Sequence, residues 1–388
     1  QVTVYATNAG EVEAIWNRRK LLLPPGDETI NGVRVVRLPL KHLPLSPYGY
    51  YLFRRIAVLL SRFPSVPESL LRAMSRYTPW VPELAAALER HEGPIDLVHA
   101  FTIPFESLIS AAVSFAQARS IPTIITPFLH TGEALDPHVS RSYAMSHQVA
   151  LMKEAHQVTA MTEVERRFLV RAGLREDRVQ VVGAGIRLDG VSAEVREDRA
   201  PVTGQLHRHL VLFLGAATYD KGAVHLVQAM GLLAERGIDA HLVIAGTAVD
   251  HFHRFFDSLP ADVKARCHLA GRVSEEEKGG LLAACDILAM PSRVDSFGLV
   301  YLEAWGHKKP VIGARAGGVP EVISNEEDGL LVEFGDVPAL ADAVESLLKD
   351  EEKRIRLGLR GYEKLMTHYT WDKVYCKMWD VYKRALEV

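Results

Sequence analysis

Short apolar runs alternate with longer stretches of helical periodicity along almost the whole chain, and few architectures accommodate that rhythm. The runs are VTVYA (2–6), VRVVRLP (33–39), DLVHAF (96–101), PTIITP (122–127), QVTAM (157–161) and VQVVGAG (179–185), then HLVLFLG (209–215), HLVIAG (241–246), HLAG (268–271), DILAMPS (286–292) and PVIGA (310–314). Strands joined by helix-length crossovers pair in parallel, and a sheet covered by helices on both faces is apolar on both sides. The spacing therefore predicts an α/β protein built on doubly wound parallel sheets. The stretch 337–349 carries Leu340, Val344, Leu347 and Leu348 on one helical face, with Asp336 placed to cap it.

A length of 388 residues favours two such units. VSAEVREDRAPVTGQ, 191–205, is polar and aperiodic, and is read as the linker between a first domain over 1–190 and a second over 206–371. A net charge of −3 gives no general attraction to nucleic acid, so no DNA or RNA partner is expected. Cys267, Cys285 and Cys376 fit neither a disulfide framework nor a zinc pattern, which points to a reducing, cytoplasmic setting. No window is long and apolar enough to span a membrane. The chain opens on Gln1 followed at once by a strand, so the expectation is that the natural start lies upstream.

Residues 48–80 depart from this texture, with Arg54, Arg55, Arg62, Arg72 and Arg76 against a single acid, Glu68. They are read either as two helices with solvated arginines or as a surface for an anionic membrane or acceptor.

GAGIRL, 183–188, has Leu188 where a dinucleotide fingerprint needs its third glycine, and it leads into the linker rather than a helix. A nicotinamide dehydrogenase is disfavoured, and no GxxxxGK[ST] loop is present. More informative is MPSRVDSFGLVYLEAWG, 290–306, in which a strand ends, Phe297 and Gly298 turn, and Leu299 begins a helix. Unpaired N–H groups at a helix start attract phosphate. Asp295 and Glu303 flank that start, and a carboxylate such as Glu303 in apolar company needs donors of the kind sugar hydroxyls supply. Taken alone, Asp295 reads equally as a helix cap. LVLFLGAATYDKGAVHLV, 210–227, is a strand, a turn at Gly215 and a helix opening near Lys221. Lys221 faces the same sheet edge as Leu299 and reads as a phosphate partner or a solvated charge. His130, at a strand end, reads as a structural histidine or a site residue, while His138, His147 and His156 have no metal-binding spacing.

With these motifs in place the chain resembles the retaining family 4 glycosyltransferases of the GT-B fold. The resemblance covers nearly the whole chain and is strongest in CDILAMPSRVDSFGLVYLEAWGHKKPVIGARAGGVPEVISNEEDGLLVEFGD, which looks like the family's donor-domain signature. DLVHAF, PFLHTG and VTAMTEVERRFL are similar to first-domain motifs of the family, and YTWDKVYCKMWDVYKRALEV (369–388) to its terminal helix. The resemblance implies two Rossmann-like domains facing across a cleft, with a helix over 372–388 crossing back to complete the first. It also implies that the first domain holds the acceptor and the second a nucleotide sugar.

By position, Asp295 and Glu303 match the acids of the family's E-x7-E motif, toward the transferred sugar and the ribose. Leu299 and Val300 would offer N–H groups to the distal phosphate, Lys221 matches the phosphate-binding lysine, Arg272 the loop at the base, and His130 the histidine near the donor sugar. Gly215, Phe297 and Gly298 shape the two turns. Ala216 departs from the pattern, since the family places an arginine there, and Arg293 or the helix N–H groups are the candidates to compensate.

The implied reaction moves a hexose from a UDP- or GDP-sugar to an alcohol or glycan hydroxyl with retention of configuration, without a cofactor and, lacking a DxD-type acidic pair, without a metal. A lipid-linked acceptor and peripheral contact with the inner membrane face through 48–80 are further expectations. The rival readings are a sugar-nucleotide epimerase or a phosphorylase on the same fold, and a degenerate sugar-nucleotide binding protein.

Overall fold

A computed structural model describes residues 1–133, 139–188 and 209–387; the 191–205 linker and His138 lie outside the described residues. The strands are β1 (Thr3–Thr7), β2 (Gly26–Ile30), β3 (Val33–Leu38), β4 (Val98–Phe101), β5 (Thr123–Thr126), β6 (Gln157–Ala160), β7 (Val179–Val181), β8 (His209–Leu214), β9 (Ala240–Ala245), β10 (Cys267–Gly271), β11 (Ile287–Met290), β12 (Val311–Ala314) and β13 (Leu330–Val332). Strands β8 to β13 form one parallel sheet in the order β10-β9-β8-β11-β12-β13. Numbered from β8, this is the doubly wound order 3-2-1-4-5-6, and its direction reverses between β8 and β11. Helices Ala223–Glu235 and Val337–Lys349 cover the sheet, and Asp336 caps the second by accepting the Ala339 N–H at 3.0 Å.

The first half departs from a single doubly wound sheet. β4-β5-β6-β7 is parallel, whereas β1-β3-β2 is a separate sheet whose β2 runs antiparallel. The two share a core in which Tyr5 and Val36 pack with Val98 and Phe115. Sequence reading missed β2, because GDETI is exposed along its whole length and has no apolar face to betray it. It missed β13, whose three buried residues are too short a run to stand out.

The closing helix, Trp371–Leu386, leaves the second half and packs Val374, Val381 and Ala385 against Ile124 and Val182 of the first. Tyr382 Oη meets His99 Nδ1 at 3.0 Å on the same face. The two passages of the chain between the halves run side by side, with the Ile186 N–H donating to the Tyr369 carbonyl at 3.0 Å. Among the described residues no helix is long and apolar enough to cross a membrane.

Candidate active site at the sheet switch point

In a doubly wound sheet the loops after the two central strands splay apart and leave a crevice at their carboxyl ends. Here those loops are 215–222, after β8, and 291–298, after β11. Two glycines set their shape. Gly222 has φ +81°, and a Cβ on it would lie 2.2 Å from the Pro291 carbonyl oxygen, so the two loops touch only because it has no side chain. Gly298 has φ +89° and sits over Tyr301, whose ring a Cβ would meet at 2.4 Å. Tyr301 is fully buried and donates its hydroxyl to the Met290 carbonyl at 2.6 Å, which fastens the start of the Leu299–Gly306 helix to the end of β11.

The consequence is that Lys221 and Asp295, from different loops, meet at 2.7 Å. The other Asp295 oxygen, Oδ2, is buried without a hydrogen-bond partner. Leaving a buried carboxylate oxygen unpaired costs about 1–3 kcal/mol. The Asp295 carbonyl accepts the Gly318 N–H at 3.2 Å, and the neighbouring Gly317 donates to the Gly132 carbonyl of the first half at 2.8 Å. His130 thus lies beside the pair: burial, aided by the Lys221 charge and opposed by that of Asp295, lowers its imidazole to about 4. His130 is neutral at pH 7, packs edge-on against Tyr143 at 4.9 Å, and keeps a buried Nδ1 without a partner.

At the helix start the Tyr301 N–H is taken by the Gly298 carbonyl at 3.0 Å, while the N–H groups of Leu299 and Val300 precede any helical acceptor. One turn on, Glu303 pairs with Lys278 at 2.9 Å, and Lys278 also meets Glu275 at 2.8 Å. Burial works against the Lys278 ammonium, but its bonds to the two glutamates prevail and raise it. Sequence reading passed over Lys278. Its signal was faint, a lysine after three glutamates in EEEKGG, which reads as a solvated helix end.

Other expected residues stand differently. Phe297 is buried, edge-on to Tyr369 at 5.4 Å and beside Gly183, so its ring serves the junction of the halves rather than the open crevice. Gly215 donates to the Ala245 carbonyl at 2.9 Å, and Ala216 beside it is exposed. Arg272 bonds Thr247 at 3.2 Å and forms an ion pair with Glu11 of the first half, so it bridges the halves at the rim. Arg293 is engaged: it meets Asp220 at 2.8 Å and Glu133 at 3.5 Å, with its guanidinium 4.8 Å from the Phe334 ring centre. His147 lies 3.7 Å from buried Glu106, and His156 Nδ1 accepts the Thr123 N–H at 3.0 Å, both structural placements. Among the described residues no group of three or more His, Cys, Asp or Glu is placed to hold a metal ion.

Beneath His130 lies a second residue that sequence reading passed over. Glu165 is buried, and its two oxygens accept the Leu129 N–H at 2.8 Å and the Met161 N–H at 2.6 Å, tying the loops after β5 and β6 together. Burial raises its carboxyl to about 7 against the pull of those two bonds.

Residues 195–364 match the family model for glycosyl transferases group 1, and residues 1–185 that for the glycosyl transferase 4-like domain. The chain belongs to the group 1 glycosyltransferases. The D-inositol 3-phosphate glycosyltransferase of Corynebacterium glutamicum is 32% identical over 222 residues, 54% of this chain and 52% of that protein. The chain thus spans about half the length of the curated relatives it matches. Among solved structures, the sucrose-phosphate synthase of Thermosynechococcus elongatus superposes with a TM-score of 0.73 at 18% identity, over 100% of this chain and 89% of that one. HepE of Anabaena, in complex with UDP-glucose, gives 0.68 at 18% identity over 100% of both chains. The fold is GT-B.

Two measurements check this account. A double-mutant cycle of Lys221→Met and Asp295→Asn, followed by urea unfolding, is expected to return a coupling of about 1–3 kcal/mol, and additivity would mean that the pair does not form. For Glu165, a folded-state rise from 4.5 to about 7 gives stability that is fully present below about pH 4.5 and lost as pH rises through about 7, at most roughly 3 kcal/mol. Wild type should therefore lose stability between about pH 5 and about pH 8, and Glu165→Gln should lack that loss.

Proposed function

We propose that the chain is a retaining hexosyltransferase that uses a nucleoside diphosphate sugar. The observation that carries the reading is the Lys221–Asp295 pair at the switch point, with the buried Asp295 Oδ2 and His130 Nδ1 both unpartnered and His130 within electrostatic reach of the pair. Residues 206–371 hold the donor. Residues 1–190, completed by the closing helix, hold the acceptor alcohol or glycan. UDP and UDP-glucose in the HepE structures favour a uridine donor.

In this reading the diphosphate lies across the start of the Leu299–Gly306 helix, where the N–H groups of Leu299 and Val300 and the ammonium of Lys221 meet its charge. Asp295 accepts hydroxyls of the hexose, and Glu303, held by Lys278, accepts those of the ribose. Arg272 borders the base, and Gly215 and Gly298 keep the two loops clear of the nucleotide. Neutral His130 hydrogen-bonds the sugar without adding charge.

The bond from the anomeric carbon to the diphosphate oxygen breaks as the acceptor oxygen bonds the same carbon from the same face. The acceptor proton passes to the departing diphosphate, so no enzymic nucleophile takes part. Charge grows on the leaving oxygen, and donors fixed at that point lower the barrier most. With Arg293 bound to Asp220, the helix N–H groups and Lys221 carry the stabilisation that the family shares with an arginine at the position of Ala216. The scheme uses no metal and no cofactor. A lipid-linked acceptor, met by peripheral contact of residues 48–80 with the cytoplasmic face of a membrane, belongs to the same proposal. The free thiols of Cys267, Cys285 and Cys376 support that compartment.

UDP-glucose and GDP-mannose are the first donors to test by thermal shift. One of them should raise the melting temperature of the wild type. Asp295→Ala and Glu303→Ala should each abolish most of that rise, and Lys278→Met should reduce affinity about tenfold, the cost of leaving Glu303 without its cation. Stabilisation that survives both carboxylate changes would rule out the site. Nucleotide binding without transfer to any acceptor would favour the degenerate binding protein, and donor interconversion without acceptor the epimerase. Proton NMR of the product should show the donor's anomeric configuration retained.

A further inference from the structure

The segment 48–80 folds as helices Tyr48–Leu60 and Glu68–Ser75, and its arginines divide into two sets. Arg54 pairs with buried Glu106 and donates to the Ser142 carbonyl at 3.1 Å. Arg72 pairs with Glu68 and Glu154, so the segment's one acid is also spoken for. Arg55, Arg62 and Arg76 are exposed and have no carboxylate partner among the described residues.

The outer face between those arginines is apolar. Tyr48, Tyr51, Leu52, Ile56, Leu59 and Phe63 are all exposed, Tyr48 by 80% and Leu52 by 61%. At 100° per residue the five of them within the helix, Tyr48 to Leu59, fall together with Arg55 within a sector about 140° wide, and Arg62 and Phe63 follow just past its end. The opposite face, Tyr50 and Ala57, is buried. A continuous exposed apolar stripe on a helix marks an interaction surface, and one edged by arginine and tyrosine is the pattern of a helix lying in a lipid interface.

At the end of this helix Val58, Ser61 and Arg62 face Ser140, Arg141, Ala144 and Phe168 across a pocket of about 300 Å³. The pocket is apart from the Lys221–Asp295 crevice. Arg141, like Arg62, is exposed and has no carboxylate partner among the described residues. The walls are fixed to one another, since the Arg54 guanidinium spans from the helix to the Ser142 carbonyl and Gln148 donates to Glu106 at 2.6 Å behind them.

We propose that the Tyr48–Leu60 helix docks on an anionic lipid bilayer, with its apolar stripe in the interface and Arg62 and Arg141 taking a headgroup phosphate at the mouth of the pocket. Charge complementarity selects this occupant over an apolar protein partner: every unpaired charge on the stripe and at the pocket mouth is positive. The contact leads toward the reaction centre, because Tyr143, two residues from Arg141, packs on His130. The inference rests on the transferase reading for its purpose, but its test needs neither donor nor turnover.

The test is co-sedimentation of the full chain with vesicles of mixed phosphatidylcholine and phosphatidylglycerol, and with phosphatidylcholine alone. Wild type should sediment with the anionic vesicles at low salt and release as salt is raised. At about fivefold per arginine near an anionic surface, Arg62→Ala with Arg141→Ala should weaken partition about twentyfold, and the paired lysine variants should retain most of it. Leu52→Ser with Ile56→Ser and Leu59→Ser should weaken it roughly tenfold or more. Circular dichroism and the melting temperature should be unchanged in these variants, which shows that they fold. Equal sedimentation with both vesicle types, none with either at low salt, or serine variants that sediment like wild type would overturn the proposal. So would self-association of the wild type, seen by ultracentrifugation and lost in the serine variants, because the stripe would then be covered by a second copy.

Discussion

Lys221 and Asp295 are 74 residues apart in sequence and 2.7 Å apart in space, and the rest of the site follows from that meeting. The meeting requires β8 and β11 to be neighbours, which the strand order supplies, and it requires their loops to touch, which Gly222 permits. Between the two loops the start of the Leu299–Gly306 helix is held by Tyr301, so two N–H groups, an ammonium and a carboxylate surround one crevice. The pair also carries a tension of function. A lysine bound to an aspartate is partly neutralised, and on the proposed function an arriving diphosphate would have to compete with Asp295 for it. Under the same proposal sugar hydroxyls would satisfy the aspartate at the same moment, coupling the two ends of the donor.

The strand pattern made most of the fold legible. Parallel strands buried on both faces announce themselves as apolar runs, and every expected run contains a strand, its ends shifted by a residue or a few. β2 and β13 escaped because one has no apolar face and the other is too short. The split of the first half into two sheets also escaped, since whether β1 and β4 are hydrogen-bonded leaves no trace in local pattern.

The site was legible where its residues lie within one motif. Asp295, Gly298, Leu299 and Glu303 sit in a single run, and the structure brings Lys221 to it from another. Lys278 and Glu165 were not legible, because each acts through a partner far along the chain, Glu303 in one case and the Leu129 N–H in the other. Arg293 is the instructive case: proximity in sequence to Asp295 suggested a phosphate ligand, but Asp220, Glu133 and the Phe334 ring hold it as a strut between loops. In 48–80 the sequence displayed the arginines, whereas sorting them into internal ties and open charges needed the packing of Glu106 and Glu154.

The two chain passages between the halves lie against each other, joined by the bond from Ile186 to Tyr369. Two adjacent segments at a boundary act like the pin of a door. They leave rotation about their common line as the soft movement and oppose sliding, which would break both at once. Phe297 rests on that pin, against Tyr369 and Gly183, and it belongs to the same turn as Gly298 and Leu299. The angle of the door and the aim of the leading N–H groups are therefore one mechanical variable, so swinging the halves apart tilts the start of the Leu299–Gly306 helix as well as uncovering it.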